Sequence, residues 1–171
     1  LKIEFYYSRG SEKFPLEIKN KEEKFSFYLK SKPLFFRLDP DYECPAKRVK
    51  LEVSRSLLHE QLKRDKDPIG RIEAAQSLVA KSSLSDIKVL SQCLKKETQW
   101  GVANRIARAL GKIGGEFARD GLLKAVNSPD AKIRAGIVQA LGEFMNDAKV
   151  ARALKKIAQG DPSYRVEAGA L

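Results

Sequence analysis

The chain has 171 residues, and 33 Lys and Arg stand against 22 Asp and Glu, for a formal net charge of +11 and a pI near 9.7. An apolar share of 43% is enough to build a core and excludes wholesale disorder. No apolar run approaches the roughly 18 residues of a membrane-spanning helix, so no membrane partner is expected. The chain begins at Leu1 rather than Met and ends in Glu167-Ala168-Gly169-Ala170-Leu171, which reads as a helix cut in mid-turn. The expectation is a piece of a longer protein.

Residues 1–53 alternate in polarity. Ile3-Glu4-Phe5-Tyr6-Tyr7, Phe14-Pro15-Leu16-Glu17-Ile18, Phe25-Ser26-Phe27-Tyr28-Leu29 and Leu34-Phe35-Phe36-Arg37-Leu38 are short aromatic and branched runs parted by turn-formers, which predicts antiparallel strands. Arg48-Val49-Lys50-Leu51-Glu52-Val53 supplies a fifth. A segment this small buries little surface by itself and is expected to lean on a neighbour. The change of periodicity puts a domain boundary at Val53-Ser54, giving a β-sandwich-like segment over 1–53 and helical repeats over 54–171.

The second segment is self-similar. Asp67-Pro68-Ile69-Gly70-Arg71-Ile72-Glu73-Ala74-Ala75 returns as Asp130-Ala131-Lys132-Ile133-Arg134-Ala135-Gly136-Ile137-Val138 and as Asp161-Pro162-Ser163-Tyr164-Arg165-Val166-Glu167-Ala168-Gly169. A weaker copy, Gln99-Trp100-Gly101-Val102-Ala103-Asn104-Arg105-Ile106-Ala107, fills the gap, so equivalent positions fall at 71, 103, 134 and 165, a period of 31–32. Such a period holds two helices and two turns, and each unit leaves an apolar face for its neighbour to cover. The last repeat is expected to be truncated. Ser54 is placed to cap a helix through Arg64, Asp67-Pro68 to open one reaching about Ala80, and Ser83-Leu84-Ser85-Asp86 has capping-box spacing with Asp in place of Glu. Small residues at 74, 75, 107, 109 and 140 let helices approach closely. The fold class is therefore α+β, an N-terminal antiparallel β segment followed by an α-α solenoid.

Asp161-Pro162-Ser163-Tyr164-Arg165-Val166-Glu167-Ala168 and Arg108-Ala109-Leu110-Gly111-Lys112-Ile113-Gly114 carry a resemblance to HEAT repeats of the short type. A second resemblance joins the halves. Phe35-Phe36-Arg37-Leu38-Asp39-Pro40, followed by the stretch from Leu58 to Ala75, is similar to the region after the catalytic domain of zinc aminopeptidases of the aminopeptidase N family. It departs from that pattern after Pro40, at Asp41-Tyr42-Glu43-Cys44-Pro45. This resemblance implies that the segment is the non-catalytic C-terminal part of a metallopeptidase, buttressing the peptidase domain of its own chain and shaping substrate access, with zinc and its ligands in the parent protein. The same region resembles the aminopeptidase-like subunit of the general transcription machinery. The alternative is a protein-interaction scaffold, transcription-subunit-like or lyase-like, with a peptide or protein on its concave face.

No catalytic, cofactor-binding or metal-binding residue is assigned. His59-Glu60-Gln61-Leu62-Lys63 starts like a zinc-binding helix, but that chemistry needs a second His where Lys63 stands, and a cation there repels the metal. His59 and Glu60 are expected on the polar side of a helix whose inner face carries Leu57, Leu58 and Leu62. Cys44 and Cys93 belong to no CxxC; Cys93 is expected as a buried thiol in a reduced, cytoplasmic protein.

Asp67/Arg71, Asp130/Arg134 and Asp161/Arg165 are i, i+4 pairs, expected to bond locally and to stack into an inter-repeat ladder interrupted at Ala103. Lys63-Arg64, Lys95-Lys96, Lys124 and Lys155-Lys156 fall near helix C-termini, where the helix dipole favours cations. Stacked, they would form a basic edge. The charge is uneven, with 12 Lys and Arg against 9 Asp and Glu in residues 1–53 and 21 against 13 in the remainder. Dipole compensation is the preferred reading, so nucleic acid is not the expected partner. Trp100 and Phe144 are expected in the core or between repeats.

Overall fold

The computed structural model describes residues 1–20, 22–43 and 51–171. They form two compact units, Leu1–Gln61 and Leu62–Leu171. The first unit thus runs past Ser54 into the first helix.

Alternating polarity around Phe5 produces β1 (Lys2–Tyr6), which pairs antiparallel with β2 (Ser11–Pro15) on one edge and β3 (Phe35–Leu38) on the other. A turn through Gly10 joins β1 to β2, with the Tyr7 N–H donating to the Gly10 carbonyl at 3.1 Å. Register sets Ile3 opposite Phe14 and Leu38, and Phe5 opposite Phe36. These side chains share one face, where Ile3, Phe5 and Leu16 are buried. The Phe5 ring meets Phe14 and Phe27 edge-on at centroid distances of 5.9 and 5.1 Å, and a tilted Phe36 at 5.9 Å.

The expected strand over 25–29 does not form. Phe27 and Leu29 nevertheless pack onto the aromatic cluster while Tyr28 between them is fully exposed. Alternation records which side chains face an apolar surface; a ladder also needs a free strand edge in register, and here the packing is kept without the pairing. Residues 51–53 are likewise not in a strand. The rest of the expected fifth strand, residues 48–50, and Cys44 lie outside the described residues.

The other sheet face carries charge. Glu4 stands opposite Lys13 on β2 and Arg37 on β3. Lys13 Nζ reaches Asp41 at 2.8 Å, Lys2 Nζ reaches Glu43 at 2.7 Å, and the buried Arg37 donates to the Tyr42 hydroxyl at 2.6 Å.

The helices are α1 (Arg55–Arg64), α2 (Pro68–Ser77), α3 (Leu84–Lys96), α4 (Trp100–Ile113), α5 (Gly115–Ala125), α6 (Ala131–Leu141), α7 (Ala148–Ala158) and α8 (Tyr164–Gly169), with a 3₁₀ turn at Gly142–Phe144. Their starts follow capping chemistry. The Asp67, Asp130 and Asp147 carboxylates accept backbone N–H groups in the first turns of α2, α6 and α7. Asp86 closes the capping box of α3, its carboxylate accepting the Ser83 N–H at 2.7 Å, so the shorter acid fills the role usual for Glu. Between α4 and α5, Gly114 and Gly115 have φ of +72° and +77°, left-handed angles that let one helix follow another without an intervening loop.

In the second unit, α4 lies between α2 and α6, and α6 between α4 and α8; α3 packs on α5, and α5 on α7. The result is two layers, α2-α4-α6-α8 and α3-α5-α7, in the order that a 31–32-residue repeat dictates. Positions 71, 103, 134 and 165 all fall in the even-numbered layer. Ala74, Ala75, Ala107, Ala109 and Ala140 are buried at the helix contacts, as their size suggests. Leu78, Leu90, Ile106, Leu110, Leu122, Ile137 and Leu141 fill the space between the layers and are fully buried.

Candidate interaction surface

The arginine ladder exists, but its partners are not the local ones. Asp67 and Asp130 cap their own helices. Arg71 crosses to Glu97, just before α4, with Nε–Oε2 at 2.9 Å. Arg134 crosses to Asp161, just before α8, through two contacts of 2.8 Å. Each guanidinium also donates backward to two backbone carbonyls, Asp65 and Lys66 for Arg71, Ser128 and Pro129 for Arg134. One side chain therefore ties the turn that opens its own repeat to the acid that opens the next. A fork of fixed donors suits this better than an ammonium group would.

The hydrogen bonds from Arg134 hold the Asp161 carboxyl below its ordinary value, against the opposing effect of burial, and Asp161 in return raises Arg134. Repeat two interrupts the ladder, because Ala103 at the equivalent position is fully buried. A second crossing, absent from the sequence reading, joins the odd-numbered layer: Arg119 on α5 reaches Asp147 at the start of α7 and also pairs with neighbouring Asp120. Burial works to raise the Asp147 carboxyl, and Arg119 with the Lys149 and Val150 N–H groups outweighs it, so the net direction is down. The sequence signal for both crossings was an acid just before each new helix.

With those arginines engaged, the outer face of the even-numbered layer carries a different set. Arg105, Arg108 and Lys112 follow at i, i+3 and i+7 on α4 and line a cleft of about 410 Å³ with Gln139 on α6 and Glu143. An adjoining cleft of about 450 Å³ is lined by Trp100, Lys132 and Arg165. The two share Asn104, Gly136 and Gln139.

Trp100 is half exposed instead of buried in the core. It bridges successive repeats from outside, with Lys132 Nζ 5.4 Å from its ring centroid. Beneath the clefts α4 and α6 approach so closely that a Cβ added to Gly136 would lie 1.9 Å from Asn104 Oδ1. That oxygen is buried and has no hydrogen-bond partner among the described residues. The i, i+3, i+7 spacing of the α4 cations was legible in the sequence; that these residues line clefts depends on α6 and α8 lying alongside.

Lys63-Arg64, Lys95-Lys96, Lys124 and Lys155-Lys156 stand in the last turns of α1, α3, α5 and α7, where the helix dipole favours cations. His59 and Glu60 are half-buried on α1, where Leu58 is buried. Among the described residues no three His, Cys, Asp or Glu side chains gather as a metal site would require. Cys93 is half-buried rather than buried, and burial pushes its thiol above the ordinary range. Phe144 is partly buried in the 3₁₀ turn. No helix among the described residues is long and apolar enough to cross a membrane.

A search of curated proteins found no match to the chain. The family model for HEAT repeats matches residues 87–171, from the first turn of α3 through α8. Ladder, layers and family match agree that the helical part of this chain is a HEAT-like repeat array.

Proposed function

We propose that the helical unit is a protein-interaction scaffold whose recognition surface is the outer face of α4, α6 and α8. The observation that carries this reading is the pair of adjoining clefts that run across successive repeats of a HEAT-like array and share Asn104, Gly136 and Gln139. Stacked repeats present an extended surface to which each unit adds side chains at a fixed interval, an arrangement suited to holding another chain along its length. The finer expectation, that the array extends a zinc aminopeptidase and shapes access to it, has no observation on the chain to support it and forms no part of this proposal.

A photo-crosslinking residue at position 139 tests the reading. Gln139 is exposed and lines both clefts, and Lys88, exposed on α3 of the other layer, serves as the control position. Irradiation in cells is expected to give protease-sensitive polypeptide adducts from position 139 and not from 88. Equal adducts from both positions, or none from 139, would overturn the proposal.

A further inference from the structure

We infer that the clefts of α4, α6 and α8 form a groove for an acidic, extended polypeptide segment; this rests on the scaffold reading and names what the scaffold holds. The first observation is a division among the cations. Arg71, Arg119 and Arg134 each end on carboxylates of the array. Around the clefts, Arg105, Arg108, Lys112, Lys132 and Arg165 have no carboxylate within ion-pair distance among the described residues. Glu143 is the one acid that lines either cleft among those residues. Five cations against one acid give this face a positive potential that the fold itself leaves uncompensated, and complementary charge selects an acidic partner.

Spacing narrows the class. Arg105, Arg108 and Lys112 rise along α4 in steps of about 4.5 and 6 Å. An extended chain presents every second side chain on one face at about 6.6 Å, so alternate carboxylates of a strand-like segment meet successive cations. Crossing from α4 over α6 to α8 covers two interhelical distances of about 9 Å each, the reach of about six extended residues. The exposed Gln139 amide, a donor and an acceptor in one group, matches the needs of a peptide backbone. Trp100 offers a flat apolar wall at the end of the path. Nucleic acid fits less well. A duplex presents its phosphates on a convex cylinder too broad for clefts of 410 and 450 Å³, and a single strand needs a series of stacking platforms where only Trp100 lines these clefts.

The test uses the full 171-residue chain and fluorescence anisotropy at near-physiological salt. The probe is a labelled peptide of about eight residues alternating Glu and Ser, long enough for the estimated span; competitors are the same peptide with Gln for Glu, and duplex and single-stranded DNA of similar length. The Glu peptide is expected to bind and the Gln peptide to compete at least about tenfold less well. Arg105→Glu with Arg108→Glu should weaken the Glu peptide by about tenfold or more, and Lys95→Glu with Lys96→Glu, at the C-terminus of α3, should leave it within about twofold. Both pairs are exposed, and circular dichroism checks that each variant keeps its helices. The neutral pair Lys132→Ala with Arg165→Ala gives an independent reading, with a smaller loss in the same direction. Equal loss in the two charge-reversed variants would mean a generic polycation, and preferential binding of DNA that depends on Arg105 and Arg108 would mean a nucleic-acid groove; either overturns the inference. Adducts at position 139 without binding of the Glu peptide would leave the scaffold standing and remove the acidic occupant alone.

Discussion

In the β unit, Lys2, Lys13 and Arg37 all end on groups of the sheet or of the turn that follows it, Asp41, Glu43 and Tyr42. In the helical unit only some of the cations do: Arg71, Arg119 and Arg134 reach acids near the start of a later helix, while Arg105, Arg108 and Lys112 line a cleft on the α4 face. The cores differ in the same sense. The sheet is held by a few large rings gathered from distant parts of the sequence, Phe5, Phe14, Phe27 and Phe36, whereas the array is held by small and branched residues that recur at a fixed interval. A repeated unit solves its packing once and copies it, which leaves its outer face free to vary. In the sheet, Phe5, Phe14, Phe27 and Phe36 and the cations Lys2, Lys13 and Arg37 find their partners within the same unit.

That contrast breaks most visibly at Phe5. Its ring touches three others, and truncation leaves a void at the centre of the cluster, so Phe5→Ala is expected to cost about 3–5 kcal/mol. The readout is amide hydrogen exchange across β1, β2 and β3, which should accelerate together. Unchanged protection in all three strands would show that the aromatic cluster is not what holds the sheet.

The array should respond next most strongly at the ladder. Arg134→Ala strands the Asp161 carboxylate and removes two donors from the Ser128 and Pro129 carbonyls, a loss of about 2 kcal/mol. Urea unfolding followed at 222 nm checks it. Lys substituted for Arg should restore little, because one ammonium cannot reach the acid and both carbonyls in a fixed fork; full rescue by Arg134→Lys would reduce the crossing to a plain charge pair.

The close approach of α4 and α6 gives a smaller effect of opposite character, crowding in place of loss. Gly136→Ala forces the Asn104 amide to move and is expected to cost about 1–2 kcal/mol. Adding Asn104→Ala should recover part of that, since the colliding atoms belong to that one side chain. Additive costs in the double variant would place the strain elsewhere.

How much of this was visible beforehand follows from the same contrast. The helix starts at Asp67 and Ser83 were legible because these side chains act on backbone groups two or three residues away. The layers followed from the period. The ladder's partners were misassigned to i, i+4 neighbours, since Asp67 and Asp130 were already committed as caps and the true acids, Glu97 and Asp161, lie 26 and 27 residues on. Phe25-Ser26-Phe27-Tyr28-Leu29 was read as a strand because alternation is shared by any segment with one buried face. Trp100 was expected in the core or between repeats, and the second placement is the nearer one. At the first position of α4 it lies beside Lys132 of the next repeat but on the outside, half exposed, which no single-helix pattern could place.

The smallest effect is a pH dependence, and it sharpens the ladder reading by sign alone. Arg134 holds the folded Asp161 carboxyl below its ordinary value of 3.8. A group depressed on folding contributes stability that is fully present above its unfolded value and is lost as pH falls toward and through the folded one. The array should therefore keep its urea midpoint down to about pH 5 and lose stability progressively below it. Asp161→Asn keeps an oxygen to accept the Ser163 N–H, now at 2.8 Å, but no longer titrates. Its midpoint should start lower at neutral pH and fall less steeply on the acid side, so the variant and parent curves converge as pH drops. Arg134→Ala should flatten the same limb, because without the guanidinium Asp161 loses the main cause of its shift. The residual slope belongs in part to Asp147, held down by Arg119 in the other layer, and should persist in both variants. Curves for parent and Asp161→Asn that run parallel through the acid limb would mean that Asp161 titrates alike in the folded and unfolded chains, and that its contact with Arg134 contributes no acid-sensitive stability to the array.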